Sequence, residues 1–296
     1  MTKKCTILTT RDRPREYTDD LKKNIEQDLG VSCEIINLED LEYYCSGTGV
    51  DIFYDGLPLE TDLVYIKHWH AFEEGALIVA SLFKKKGKPV FPTEILGVVP
   101  KTKFGETMLM TLFDLPVPDT VFYYSADSYS PNYAKVIERL GTPFIFKAID
   151  GKKGANNYLV HDQKELQRYI SEAKDVQFIA QRFIENDGDY RLINFGTELR
   201  IAIHRTREGD THLNNTSQGG DGELVPLENL PELVKRDSLR AANLLGRDIS
   251  GIDVVMEKGS NKHYIFEVNY SPQLTTGTFL EEKRKELSDF IRANIM

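Results

Sequence analysis

The sequence predicts an α/β protein of three lobes, and three observations carry that prediction. The first hundred residues alternate β-branched or aromatic runs with amphipathic stretches, the rhythm of a small parallel sheet covered by helices. From Pro100 the texture changes to a helix–strand–loop–strand–helix mixture. Beyond Val176 the chain becomes strand-rich, with helices late in the segment. The expected division is 1–99, 100–176 and 177–296, within the size range of small domains with cores of their own.

In the first lobe, "CTILTT" reads as a strand and Tyr17 to Leu29 as a helix stopping at Gly30. "VSCEIINL" and "DLVYIKHW" are further strands, and "EEGALIVASLFKKKG" is a helix closed by lysines and Gly87. "SGTGVDIF" offers Gly47 and Gly49 but has Ile52 where a third glycine is required. It neither follows a clear strand nor opens a helix, so a dinucleotide fold is not expected. In the second lobe, "TKFGETMLMTLFDL" and "NYAKVIERLG" are helical. The strand "TPFIFKAID", the loop "GKKGANN", the strand "YLVH" and the helix "QKELQRYISEAK" follow. The third lobe holds the strands "QFIAQRFI", "DYRLINFG" and "TELRIAIHRT", then the polar loop "EGDTHLNNTSQGGDGE". A helix, a hairpin and a terminal helix, "EKRKELSDFIRANI", complete it.

Composition narrows the function. A formal net charge of -9 argues against a protein that wraps nucleic acid. Cys5, Cys33 and Cys45 show no metal spacing, and an odd count suits reduced thiols in a cytoplasm. No run is long enough for a membrane span. A cytoplasmic protein with no membrane partner is expected, its oligomeric state open.

The chemistry concentrates in "GIDVVMEKGSNKHYIFEVN", two strand candidates joined by "KGSNK". If Glu257 pairs with His263, Asp253 falls opposite Glu267, Val254 opposite Phe266 and Ile252 opposite Val268. One face is then apolar, and the other carries Asp253, Glu267 and Asn269. Two carboxylates facing each other repel. The face is either a solvated surface or an oxygen-ligand set for a hard cation such as Mg²⁺. Lys147, at the end of "PFIFK" beside a glycine loop, could set a charge on phosphates or simply be solvated. Lys103 at a helix start reads the same way. Asn214 and Asn215 in "LNNTSQGG" are either phosphate-binding amides or turn formers.

The order of these pieces resembles the RimK-like ATP-grasp ligases, relatives of ribosomal-protein glutamate ligases, from about Lys103 to Leu274. The blocks are the helix lysine before "DLPVPDT", then "FKAIDGKKG", "AQRFIENDGDYRLINFG", "LRIAIHR", "LNNTSQGG", "GIDVV" and "FEVNYSPQL". The resemblance implies an ATP-grasp fold: an N-terminal pre-ATP-grasp α/β lobe, a central α+β lobe and a C-terminal antiparallel α+β lobe. ATP would lie between the last two. Lys103 and Lys147 would contact phosphates, and Arg182 and Phe183 would line adenine, largely through main-chain groups. Asp189 matches the acidic position near the ribose, and Asn214 and Asn215 the tail of an Arg-Ser-Asn segment. Asp253, Glu267 and Asn269 match ligands of Mg²⁺, two ions being expected and Mn²⁺ an alternative. Arg205 matches an arginine that stabilises an acyl phosphate.

The implied reaction joins a carboxylate donor to an amine acceptor, with a peptide, protein terminus or amino acid as partner. The pattern departs at Leu213 (for arginine), Gln218 (for a basic residue), Asn156 and Gln273 (each for glycine). Two other classes share such a fold: a kinase, distinguished by a phospho-product, and a nucleotide-binding module without turnover. His68 and His70, on one strand face, are read as structural or substrate-lobe residues. Cys45 lacks an activating base. The pairs Tyr43–Tyr44 and Tyr123–Tyr124 are core or acceptor-site aromatics.

Overall fold

The apolar run at the start of the chain forms β1 (Lys4–Thr9), and the amphipathic stretch after it forms α1 (Glu16–Leu29). They belong to a computed structural model that describes residues 3–13, 15–151, 156–173, 175–206, 222–269, 272–274 and 278–295. Next come β2 (Ser32–Asn37), β3 (Leu41–Ser46), β4 (Gly49–Tyr54) and the short β5 (Leu57–Pro58). After them follow β6 (Leu63–Ile66), α2 (Glu73–Lys85) and β7 (Val90–Phe91). Strands β2-β1-β6-β7 make an all-parallel sheet, as the βαβ rhythm predicts. Leu21 and Ile25 of α1 pack on Cys5, Ile7 and Cys33, while Leu8, Ile36, Val64 and Ile66 join the main core with α2.

The segment "SGTGVDIF" needs correcting. It does follow a strand, since β3 runs to Ser46; Gly47 and Thr48 then turn the chain into β4. The glycines thus lead into a strand and not a helix, and the element is a hairpin.

That hairpin leaves the parallel sheet. The second lobe supplies α3 (Lys103–Leu112), β8 (Thr120–Tyr123), α4 (Tyr133–Leu140), β9 (Phe144–Ala148), β10 (Asn157–Val160), α5 (Gln163–Glu172) and β11 (Phe178–Arg182). Together they give an antiparallel sheet of order β10-β9-β11-β8-β3-β4-β5. The boundaries expected near residues 100 and 176 therefore cut across one sheet. Tyr43 of β3 faces Phe122 of β8, and β11 lies between β8 and β9. Aromatic packing explains the recruitment: the Phe104 and Phe122 rings stack at 3.9 Å, and Tyr43 meets Phe104 edge-on at 5.0 Å. Tyr43 and Tyr123 are core residues.

The remainder builds β12 (Asp189–Phe195), β13 (Glu198–Arg205), β14 (Gly222–Leu224), α6 (Glu232–Leu244), β15 (Ile249–Met256), β16 (His263–Asn269) and α7 (Leu280–Ile295). The antiparallel order is β14-β13-β12-β15-β16. One face is apolar: Leu192, Ala202, Ile252, Val254, Ile265 and Val268 share the main core with Val234, Ala241 and Ala242 of α6. At one end of the opposite face, Ile193, Phe195, Ile201 and Ile203 lie under Leu287 and Phe290 of α7. Beyond them the face carries a charged stretch and then the apolar Val255 and Tyr264, and it looks into a cleft. None of the described helices is long and apolar enough to cross a membrane.

Candidate active site

The hairpin register decides what the cleft contains. Asp253 faces Glu267 and Ile252 faces Val268, as expected, and Gly251 faces Asn269. Toward the turn a bulge intervenes: Val254 pairs with Ile265 instead of Phe266, and Met256 instead of Glu257 faces His263. The extra residue keeps Val254 and Ile265 in the core. It also lets Phe266 turn into the cleft, its ring 5.5 Å from Lys147 Nζ.

Asp253 is the hub. Arg191 donates to both of its oxygens, at 2.5 and 2.8 Å, and Arg205 Nη2 donates to Oδ1 at 2.8 Å. Asn269 Nδ2 donates to Oδ2 at 3.3 Å. Arg205 also grips both oxygens of Asp189, at 2.7 and 2.6 Å. Burial opposes ionisation of Asp253, but the two guanidiniums outweigh it and hold its pKa below the usual value. Asp189 goes the other way, pushed up to about 6 by burial and by Asp253, against the pull of Arg205. The fork depends on a close approach: a Cβ on Gly251 would stand 2.9 Å from Arg191 Cδ.

The lysines approach from across the cleft. Lys103 opens α3, where the Thr102 hydroxyl accepts from the Gly105 amide at 3.4 Å. Glu74 of α2 accepts from the amides of Lys101 and Thr102 and from the Thr102 hydroxyl. A Cβ at position 105 would collide with Glu74, 2.5 Å from Oε2, so glycine allows the two helices to meet. Held there, Lys103 Nζ donates to the Gly151 carbonyl at 2.7 Å and lies 3.7 Å from Glu267 Oε1. Lys147 is buried in β9. Burial, then Lys103, lower its pKa to about 8, while Glu267, Asp253 and Glu106 pull it upward. Two lysines and two carboxylates thus share one cleft.

Arg182 faces the hairpin turn. It donates to Glu257 Oε1 at 3.1 Å and to the Tyr264 hydroxyl at 2.6 Å. Phe183 lies half-buried in the link from β11 to β12. Just beyond it, Ile184, Val255, Tyr264 and Phe266 form an apolar patch. Asn214, Asn215, Leu213 and Gln218 fall outside the described residues. Asn156 takes φ +51, a left-handed backbone that asparagine adopts more readily than most residues other than glycine. His68 is exposed, its Nδ1 3.4 Å from Thr9 Oγ1. Cys45 is fully buried, its thiol pushed up to about 11 by burial.

The sequence reading took in the Asp-x-Arg segment but gave Arg191 no role, although it alternates with Asp189 on β12 and so had to share its face. It also missed Glu106 and Arg247, a buried ion pair with Nη2 2.5 Å from Oε1. Burial, with Glu267 adding, pushes Glu106 up to about 7 despite Arg247. No sequence signal joins residues 141 positions apart.

Comparison with known proteins gives this constellation its class. Residues 103–284 match the RimK-like ATP-grasp domain, so the chain belongs to the RimK-like ATP-grasp family. The relatives that the chain matches are named as ligases and synthases. A probable alpha-L-glutamate ligase of Cellvibrio japonicus (strain Ueda107) is 25% identical over 230 residues, covering 75% of this chain and 73% of that protein. N-acetylaspartylglutamate synthase A of Homo sapiens is 28% identical over 173 residues, covering 57% of this chain and 43% of its own length. The chain spans about half the length of several such relatives. Among solved structures, D-alanyl-alanine synthetase A from Vibrio cholerae O1 biovar eltor str. N16961 superposes with TM-score 0.52 at 13% identity, over 98% of this chain and 96% of that one. The ATP-grasp ligase PsnB, complexed with a phosphomimetic variant of a minimal precursor, Mg and ADP, gives 0.50 at 16% identity, over 100% and 99%. These two likenesses establish the ATP-grasp fold.

Proposed function

We propose that the cleft binds ATP with Mg²⁺, activates a carboxylate as its acyl phosphate and passes the acyl group to an amine. The observation that carries this is Lys103 lying 3.7 Å from Glu267, with the buried Lys147 beside the Phe266 ring of the same strand and under the electrostatic pull of Glu267 and Asp253. Among the described residues no group of three or more His, Cys, Asp or Glu side chains could by itself hold a metal ion. Two carboxylates and the Asn269 amide nevertheless fit Mg²⁺, which takes phosphate oxygens and water as its other ligands. Two ions, or Mn²⁺ in their place, suit the same oxygens. Bound there, the ion neutralises charge on the phosphates.

The protein's own groups do the rest. Lys103 and Lys147 hold the phosphates, with Asn214 and Asn215 adding amide donors. Ile184, Val255 and Tyr264 give the base an apolar bed, beside main-chain groups of Arg182 and Phe183. A carboxylate oxygen attacks the γ-phosphorus and ADP leaves; the amine then attacks the acyl carbon, phosphate leaves and an amide remains. Arg205 stabilises charge on the acyl phosphate. Asp189 acts through Arg205, since both its oxygens already accept from that side chain. The partner is read as a peptide, a protein terminus or an amino acid; of these, the relatives' names, which print glutamate and N-acetylaspartylglutamate, support the amino acid. A cytoplasmic setting fits the three free, buried cysteines.

The test is mass spectrometry of products after incubation with ATP, Mg²⁺ and panels of carboxylates, amines and peptides. One amide formed per ADP and phosphate released is expected. A phosphorylated product, or tight ATP binding without ADP formation in every panel, would sink the ligase reading.

A further inference from the structure

Helix α7 turns a stripe of buried and partly buried residues toward the five-stranded sheet, and the most buried of them is not apolar. Lys283, Leu287 and Phe290 recur at i, i+4 and i+7, so they share a helix face. Leu287 and Phe290 pack on Ile193, Phe195, Ile201 and Ile203, and the Phe290 ring stands 5.9 Å from that of Phe195. Along β12 the same sheet face reads Asp189, Arg191, Ile193, Phe195. One helical turn back from Leu287 therefore brings Lys283 over Arg191.

Lys283 is only 4% exposed. Among the described residues its ammonium makes no ion pair and no side-chain hydrogen bond. Burial, then Arg191, lower its pKa, while its neighbour Glu282 pulls the other way. Burying a cation beside a guanidinium without a paired anion is costly. Leucine or methionine would complete the stripe, yet the chain keeps a charge. The position has a direction, too. Val255 marks the apolar end of the cleft face of β15, Asp253 its middle and Gly251 the end nearest α7. Arg191 is committed to Asp253. Among the described residues, Lys283 is a cation without a paired anion beyond the carboxylates, at the end away from the apolar patch.

We propose that Lys283, with Arg191 beside it, forms an anion-binding corner that seats a carboxylate of the non-nucleotide substrate, an acidic amino acid or an acidic peptide side chain. This rests on the ligase reading above. An incoming carboxylate supplies the missing counter-charge and is held at the α7 end of the cleft, next to the proposed phosphate site.

The test is calorimetric titration of protein saturated with ADP and Mg²⁺. The probes are L-glutamate, L-aspartate, N-acetyl-L-aspartate and a short glutamate peptide, each with its amide as control. At least one acid is expected to bind where its amide does not. Lys283→Met should weaken that binding about 10–100-fold, the effect of losing a charged hydrogen bond. Lys283→Arg should restore most of it. Lys283→Met also completes the apolar stripe, so its thermal midpoint should equal or exceed that of the wild type, and its ADP affinity should not change. Equal acid binding by Lys283→Met and wild type, or no acid bound by the ADP-loaded wild type, overturns the anion corner alone. A wild type that binds no ADP takes the ligase reading down with it.

Discussion

Alternate residues of β12, β15 and β16 face two environments, and the contrast separates what folds this protein from what acts in it. On the α6 side, Leu192, Ile252, Val254, Ile265 and Val268 are at most 1% exposed and make up an apolar layer, bounded at one end by the buried Asn194–Ser250 pair. On the cleft side, Asp189, Arg191, Asp253 and Asn269 join through Arg205 in one network, and Glu267 pairs with Lys103 beside it. The first face buries area; the second is held in register by the first. Substitutions one residue apart should therefore fail in different ways.

The largest difference is expected between Glu267→Gln and Ile252→Ala. Glu267 is partly exposed and its ion-pair partner Lys103 stands 3.7 Å away, so its stability contribution is small. Removing its charge should lower turnover about 10³-fold, the scale of losing one aimed electrostatic contact, with little change in thermal midpoint. Ile252→Ala should cost about 2–5 kcal/mol of stability through the cavity it leaves, with turnover per folded molecule retained. Thermal melts beside steady-state rates check both, and a swap of the two profiles would erase the distinction between the faces. Asp253 would be a poorer probe, because replacing it removes the carboxylate that Arg191 grips and one of the two that Arg205 holds, along with a proposed metal ligand.

The two faces were not equally legible in the sequence. Period-two alternation gave the apolar layer and the Asp253–Glu267 pair, because a half-buried strand must alternate. The bulge at Phe266 left no mark, since a phenylalanine suits either face. The hairpin β3–β4 was hidden for another reason. Its partner β8 lies some 80 residues away by pairing of Glu42 with Tyr123, and local pattern carries no information on which sheet a strand joins. Lys283 was legible in principle, as a charge on the Leu287–Phe290 stripe. The Glu106–Arg247 pair was not, because both residues look like ordinary helix-end or loop charges.

A smaller effect tests the opposing side of the cleft. Lys147 has a pKa near 8 without ligand, lowered by burial and Lys103. Phosphates favour its charged form and raise that value, so nucleotide binding above pH 8 should take up a proton. Calorimetry at pH 8.5 in buffers of different ionisation enthalpy reads this uptake directly. Lys147→Met should abolish it and weaken ADP affinity about 10–100-fold. An unaltered affinity would remove Lys147 from the phosphate site. The stability sign is opposite to that of a salt-bridged lysine: between about 8 and 10.5 the unfolded chain binds the extra proton, so this group makes the ligand-free protein more stable as pH rises.

The smallest effect is expected where the sequence placed a binding residue and the structure turns its side chain elsewhere. Arg182 reaches Glu257 and Tyr264 near the hairpin turn, with Asp119 3.7 Å away. If Arg182 serves nucleotide through its main chain, Arg182→Met leaves that contribution in place. ADP affinity should then stay within about twofold of wild type. Stability should fall by about 1 kcal/mol, the scale of a partly solvated ion pair. A tenfold loss of ADP affinity at constant stability would instead put the guanidinium in the site. It would extend the charged part of the cleft past the apolar patch and blur its division into an apolar end and an ionic end.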